Sequence, residues 1–209
     1  MIASALKLAP KPVDDTVGWY ERSAAAYAAE TLGRNPGFLR EAFAARLPPG
    51  GSILDAGSGS GRDTLAFIEA GFDVDAFDAS EGLAVFSSRL TGRPTQVARF
   101  ESYVGPHDRY DGVWAFASLL HVREADIPPV VGRLAACLKR GGWLFANFKI
   151  GKGERLDEFG RRYTDMTRPQ LLRLFGAMPA WQCVEITTQK AEAAFGRPTG
   201  WINIFAQAA

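Results

Sequence analysis

Apolar positions along this chain repeat with two periods, and the periods alternate from one segment to the next. Residues 19–32 form an alanine-rich run of high helix propensity. Asp14 and Asp15 stand ahead of it, where a helix wants a cap and negative charge. Gly33-Arg34-Asn35-Pro36-Gly37 ends that helix. Phe38, Leu39, Ala42, Phe43 and Leu47 then recur at helical spacing until Pro48-Pro49-Gly50-Gly51. Ile53 and Leu54 read as the end of a short buried strand, and a helix over residues 62–70 follows a glycine-rich turn. Residues 72–77 alternate apolar with acidic, as a half-buried strand does, and stop at Asp78-Ala79-Ser80. Residues 81–90 resume a helical pattern with Leu83, Phe86 and Leu90 inward.

The same alternation continues through a weak third strand at 95–97 and a stronger fourth at 110–116. A helix over 127–138 is stopped by Lys139-Arg140-Gly141-Gly142, and a fifth strand covers 143–148. Strand and helix in turn are what a parallel sheet requires. Residues 151–165 read as charged and irregular. Thr167, with Pro169 close behind, opens a further helix. Residues 184–188 and 201–205 read as two last strands with no crossover helix between them, hence an antiparallel pair at one sheet edge. The predicted architecture is a doubly wound α/β fold with N-terminal helices.

Composition narrows the possibilities. A chain of 209 residues with 47% hydrophobic residues is the size of one domain with a full core. Its net charge of +1 leaves no broad footprint for nucleic acid or an anionic membrane. Residues 1–12 read as a loose arm. No stretch approaches membrane-spanning length, and the expected location is the cytoplasm. Two cysteines supply neither a disulfide framework nor a zinc site; Cys137 and Cys183 both read as buried thiols, and no metal is expected.

The chemistry centres on Asp55-Ala56-Gly57-Ser58-Gly59-Ser60-Gly61. Glycines between a strand and a helix let backbone approach a ligand closely at the carboxyl end of a sheet. A dinucleotide fingerprint wants Gly-x-Gly-x-x-Gly, and its third glycine would fall at position 62, where this chain has Arg62. Asp78, ending the next strand, is placed to take both hydroxyls of a ribose.

The segments ILDAGSGSGRD, FDASEGL, YDGVWAFASLLHV and LKRGGWLFANFK occur here in that order. Together they resemble class I S-adenosylmethionine-dependent methyltransferases, and in particular the small bacterial ones of the tellurite-resistance type. The resemblance runs from about Trp19 to Phe205. It implies a Rossmann-like sheet of seven strands with the last antiparallel. The length and the lack of an obvious linker point to a single domain over residues 1–209, with residues 13–47 as an N-terminal helical lid or cap. Gly57, Gly59 and Gly61 would meet the methionine part of S-adenosylmethionine, Asp78 its ribose, and Ala79 and Ser80 its adenine. Arg99, Phe100 and Glu101 would border the adenine where the family usually has Asp-Ala. A backbone amide at Phe100 can still read an adenine edge, while the usual aspartate contact to the exocyclic amine is not expected. Phe116, Ala117 and Ser118 would lie near the sulfonium.

Several residues carry two readings. Arg62 faces the unfavourable end of a helix dipole, so it either meets the cofactor carboxylate or swings out to Asp63 or solvent. Asp63 is placed where a first turn favours negative charge, and Asp55 orients the loop. Tyr20 and Tyr27, seven apart on one helix face, either pack that helix or form an aromatic lid over the cofactor. His121 is either a general base or a histidine closing a strand–helix turn by a hydrogen bond. Lys149, Arg162 and Tyr163, with the neighbouring basic residues Lys152, Arg155 and Arg161, either bind an acidic acceptor or form a solvated loop balanced by Glu154, Asp157 and Glu158. Arg197, Trp201 and Asn203 stand where fold analogy puts the pocket of a small-molecule acceptor. The expected product is S-adenosylhomocysteine, and the expected state is a monomer or homodimer. A non-catalytic S-adenosylmethionine-binding protein and an NAD-dependent oxidoreductase are the alternatives.

Overall fold

The computed structural model describes residues 14–34, 36–192 and 198–209; the N-terminal arm, Asn35 and Arg197 lie outside them. Among the described residues, β1 (Ser52–Ala56), β2 (Asp73–Asp78), β3 (Thr95–Val97), β4 (Tyr110–Ala115) and β5 (Leu138–Lys149) pair in parallel. A hairpin of β8 (Trp181–Glu192) and β9 (Pro198–Ala208) completes the sheet, with β9 antiparallel to both β5 and β8. The order is β3-β2-β1-β4-β5-β9-β8, so the chain reverses direction across the sheet between β1 and β4. Ligands bind at that reversal, in the crevice outside the carboxyl ends of the strands.

Successive residues of the central strands feed opposite faces. Ile53, Trp114 and Phe145 pack on one side with Leu39, Phe43 and Phe67. Leu54, Val113 and Leu144 pack on the other with Val130, Leu134, Leu171 and Phe175. The first side is covered by α3 (Gly37–Ala44) and α4 (Arg62–Glu69), the second by α6 (Ile127–Ala136) and α7 (Arg168–Gly176). The opening of α7 follows the sequence closely, since Thr167 and Gln170 form a reciprocal capping box.

Five expectations change. The helix expected over 19–32 is two, α1 (Thr16–Arg22) and α2 (Ala24–Leu32), broken at Ser23. In α5 (Glu81–Thr91) the buried face is Leu83, Ala84 and Ser87, and Phe86 is exposed, because α5 lies too close to Gly61 for a large side chain. Lys139-Arg140-Gly141-Gly142 does not follow a helix as a loop. It lies inside β5 as a bulge, with the pairing skipping from Tyr110↔Leu138 to Gly112↔Trp143 and Gly141 at φ +77°. The charged 151–165 segment contains an antiparallel hairpin, β6 (Gly153–Leu156) and β7 (Arg162–Asp165). Cys137 is buried as expected, but Cys183 is exposed.

Candidate active site

A cavity of about 790 Å³ opens at the carboxyl ends of the parallel strands. Its floor is the glycine loop. The Phe77 carbonyl accepts from the amides of Gly57 and Ser58, at 2.9 and 3.0 Å, which ties the loop to the end of β2. Gly57, Gly59 and Gly61 all have left-handed φ, between 57° and 82°. A Cβ at Gly57 would stand 2.5 Å from Ser118 Cβ, so only glycine fits there.

Asp78 is buried at the cavity wall. One carboxylate oxygen accepts from the Gly59 amide at 2.8 Å and the other from the Ser80 amide at 2.9 Å. Burial still raises its pKa, and those backbone hydrogen bonds oppose the rise. Each oxygen keeps a lone pair for a hydroxyl donor. Ser58 Oγ is buried with no partner among the described residues. A carboxylate fixed by two amides, an orphaned hydroxyl and a left-handed glycine cradle fit the ribose and methionine portions of S-adenosylmethionine.

Asp63 and Arg62 are occupied with each other. Asp63 accepts from Arg62 Nε at 3.0 Å and Nη2 at 2.8 Å, from Arg40 Nη1 at 2.8 Å and from Trp114 Nε1 at 3.2 Å. Despite burial, those two guanidiniums hold the Asp63 carboxyl below its ordinary pKa. Arg62 therefore takes the second of its two expected arrangements while still lining the cavity. Asp55 behaves oppositely. Burial and the nearby Asp63 charge push it up to about 7, and Thr64 Oγ1 lies 2.6 Å from its Oδ2.

The cavity roof comes from α1 and α2. Tyr27 packs against Gly59, and the rings of Tyr20 and Tyr27 meet edge to face at 5.1 Å. Glu21 reaches down to α5, accepting from Ser80 Oγ at 2.7 Å and the Gly82 amide at 3.0 Å. The β6–β7 hairpin closes the far side. The Asp15 amide donates to the Gly160 carbonyl at 3.1 Å, Thr16 Oγ1 accepts from the Arg162 amide at 2.8 Å, and Arg162 pairs with Asp14 and Glu154. Arg161, buried and paired with Asp157, stacks over Trp19 at 4.1 Å.

His121 joins roof and hairpin. Its Nδ1 lies 2.5 Å from the Arg162 carbonyl, which can only accept, so Nδ1 carries the proton. Nε2 therefore accepts from the Tyr20 hydroxyl at 2.8 Å. Burial lowers the imidazole pKa to about 4, and the nearby Arg161 and Lys149 charges push the same way.

A methyltransferase domain model matches residues 27–148. The chain belongs to the methyltransferase domain family. Caenorhabditis elegans alpha N-terminal protein methyltransferase 1 is 28% identical over 130 residues, which is 58% of this chain and 55% of that protein. The chain thus spans about half the length of the curated relative it matches. A crystal structure of Burkholderia thailandensis 1,6-didemethyltoxoflavin-N1-methyltransferase, with bound 1,6-didemethyltoxoflavin and S-adenosylhomocysteine, superposes with a TM-score of 0.68. It is 22% identical and covers 92% of this chain and 85% of that one. The (4+2)-cyclase SpnF superposes with a TM-score of 0.69 at 17% identity over 94% of this chain and 97% of its own. The fold is that of class I S-adenosylmethionine-dependent methyltransferases. The cyclase carries another activity in its name, so the reaction has to be argued from the site.

Of the individual site residues expected from the sequence of this methyltransferase domain, Ala56, Gly61, Lys152, Arg155 and Asn203 do not line the cavity, Arg197 lies outside the described residues, and the others line it. Ala56 lies behind the loop, its carbonyl accepting from Ser118 Oγ at 2.7 Å, and Gly61 backs onto Ser87. Asn203 faces Asn147 in the β5–β9 pairing, away from the cavity lining. Glu21, Arg40 and Asn147 escaped the sequence reading. Only Asn147 left a signal, as a polar residue inside the apolar run of β5; it is fully buried, and its Oδ1 accepts from the Ala117 amide at 2.6 Å. Among the described residues no cluster of His, Cys, Asp or Glu is disposed to hold a metal, and no helix is long and apolar enough to cross a membrane.

Proposed function

We propose that this protein transfers the methyl group of S-adenosylmethionine to a small-molecule acceptor and releases S-adenosylhomocysteine. The observation that carries the reading is Asp78, fixed by the Gly59 and Ser80 amides beside the left-handed glycine loop and the orphaned Ser58 hydroxyl. Asp78 holds the ribose, Gly57 to Gly59 the methionine portion, and Ala79, Ser80, Arg99, Phe100 and Glu101 surround the adenine. Phe116 to Ser118 face the sulfonium, and Arg62 borders the cofactor while tied to Asp63. The four sequence motifs favour the tellurite-resistance-type subgroup, and a single domain over residues 1–209 and a cytoplasmic monomer or homodimer complete the reading.

The bound cofactor supplies a methyl on a sulfonium, which is already activated. The chain's task is then to align the acceptor and exclude water. Tyr20 and Tyr27 roof the glycine loop, which supports a lid role for α1 and α2. Phe38 and Leu39 of α3 also line the cavity, while Leu39 and Phe43 pack into the core, which is in keeping with a cap over residues 13–47. Lys149, Arg162, Tyr163 and Trp201 bound the acceptor side. His121 acts as a positioning residue: both ring nitrogens are engaged, and its depressed pKa makes it a weak proton acceptor.

Calorimetric titration with S-adenosylmethionine, S-adenosylhomocysteine and NAD tests the first half of the proposal. Binding of both sulfur compounds and not NAD is expected; preference for NAD overturns it. Incubation with methyl-labelled S-adenosylmethionine and a panel of small molecules tests the second half. Tight binding without S-adenosylhomocysteine release across that panel would identify a non-catalytic binder.

A further inference from the structure

The two ends of the cavity differ in charge. Asp55, Asp63 and Asp78 gather at the glycine-loop end. Lys149, Arg161 and Arg162 gather at the other, where β5 ends and β7 begins. Arg161 and Arg162 have carboxylate partners in Asp157, Asp14 and Glu154. Lys149 has none. Among the described residues its ammonium has no hydrogen-bond acceptor and no carboxylate within 4.0 Å, and it rests over the Tyr163 ring, 3.9 Å from the centroid.

Lys149 sits at the carboxyl end of a central parallel strand, with its register partner Trp201 also lining the cavity. Removing an ammonium from water without an anion beside it is unfavourable. Burial lowers the Lys149 pKa to about 8, and Arg155 and Arg161 push in the same direction, while Asp165 and Asp157 oppose it. A ring face compensates part of that cost, and an anionic ligand compensates more.

Resting on the methyltransferase reading, we propose that the acceptor is an organic acid bound as its anion, with its charged oxygens seated on Lys149. Charge supports the same assignment. Methyl transfer from a sulfonium to a neutral amine leaves a cation on the acceptor, beside the Lys149 ammonium, which no carboxylate among the described residues approaches within 4.0 Å. Attack by an anionic oxygen of the acceptor forms the oxygen–methyl bond as the methyl–sulfonium bond breaks. The products are an ester with one negative charge fewer and neutral-sulfur S-adenosylhomocysteine, and Lys149 favours the acceptor anion beforehand. Such an acceptor needs no proton taken by His121, whose nitrogens are already engaged.

The test uses the full chain, with and without saturating S-adenosylhomocysteine, titrated with benzoate, phenyl phosphate, benzamide and benzylamine. At least one of the two anions is expected to bind at least roughly tenfold more tightly than the amide and the amine. Benzoate reports a carboxylate preference and phenyl phosphate a phosphate one. Near pH 8 the binding heat should vary with buffer ionisation enthalpy, because Lys149 takes up a proton. Lys149→Met should abolish the preference and the proton uptake but keep S-adenosylhomocysteine affinity, and Lys149→Arg should retain the anion preference. Equal binding of benzamide or benzylamine, failure of both anions to bind, or undiminished anion binding by Lys149→Met overturns the proposal. If S-adenosylhomocysteine itself fails to bind, the methyltransferase reading falls, while the titrations without it still decide whether Lys149 selects anions.

Discussion

Tyr20 donates its hydroxyl to Nε2 of His121 across 2.8 Å, and this one bond joins the N-terminal roof to the turn after β4. It exists because the other imidazole nitrogen gives its proton to the Arg162 carbonyl, leaving Nε2 only able to accept. Tyr20→Phe should leave that buried acceptor unsatisfied and cost about 1–3 kcal/mol. Denaturant unfolding measures the loss, and stopped-flow release of S-adenosylhomocysteine should be faster in the variant. Unchanged release would mean that the roof does not gate the cofactor.

Two buried groups should give stability opposing slopes with pH. His121 titrates near 6.5 when unfolded and at about 4 when folded. Between those values the unfolded chain holds an extra proton, so this contribution is complete above about 6.5 and is lost as pH falls. Asp55 moves from 3.8 up to about 7, so the folded chain holds the extra proton and its contribution is lost as pH rises. The windows overlap from about 4 to 6.5 and partly cancel. Asp55→Asn should expose a stability that rises with pH across that range, and His121→Gln one that falls. Urea denaturation at several pH values distinguishes the two signs.

Ala117 sits at φ 51°, a left-handed conformation that costs a residue with a Cβ about 1–2 kcal/mol. Asn147 Oδ1 holds it there through the Ala117 amide. Asn147→Ala should destabilise the protein by about 1–3 kcal/mol and weaken S-adenosylhomocysteine binding. Ala117→Gly in the same background should recover part of both, because glycine adopts that backbone without strain. A double-mutant cycle by chemical denaturation gives the coupling.

Asp78→Ala should weaken S-adenosylmethionine binding several-fold or more, since two amides and the ribose hydroxyls lose one acceptor group. Asp78→Asn, which keeps one carbonyl oxygen, should fall between the variant and the original. Equal calorimetric affinities would remove Asp78 from the ribose role.

Much of the fold was legible because local patterns and tertiary demands agree. The apolar run ending at Ala56, the glycines after it and the acidic end of β2 each have one good use in a parallel sheet. The hairpin at 153–165 was not legible, because its short strands pair side chains such as Arg155 with Asp165 and Arg162 with Glu154 and show little apolar alternation. Phe86 read as core by helical spacing alone. Gly61 brings α5 in over Ser87 instead, and that close approach is a property of two elements together.

By itself the sequence determined the strand–glycine–helix unit, Asp78 at the next strand end and the order of the motifs, since those depend on backbone freedom and local period. Only the tertiary structure decided what the polar groups do. It spent Arg62 on Asp63, turned His121 between Tyr20 and Arg162, and left Lys149 with no carboxylate within 4.0 Å among the described residues. The physical reason is that hydrogen bonds and charges are set by neighbours far apart in the chain. Tyr20 and His121 are separated by 101 positions, and no local pattern records their meeting.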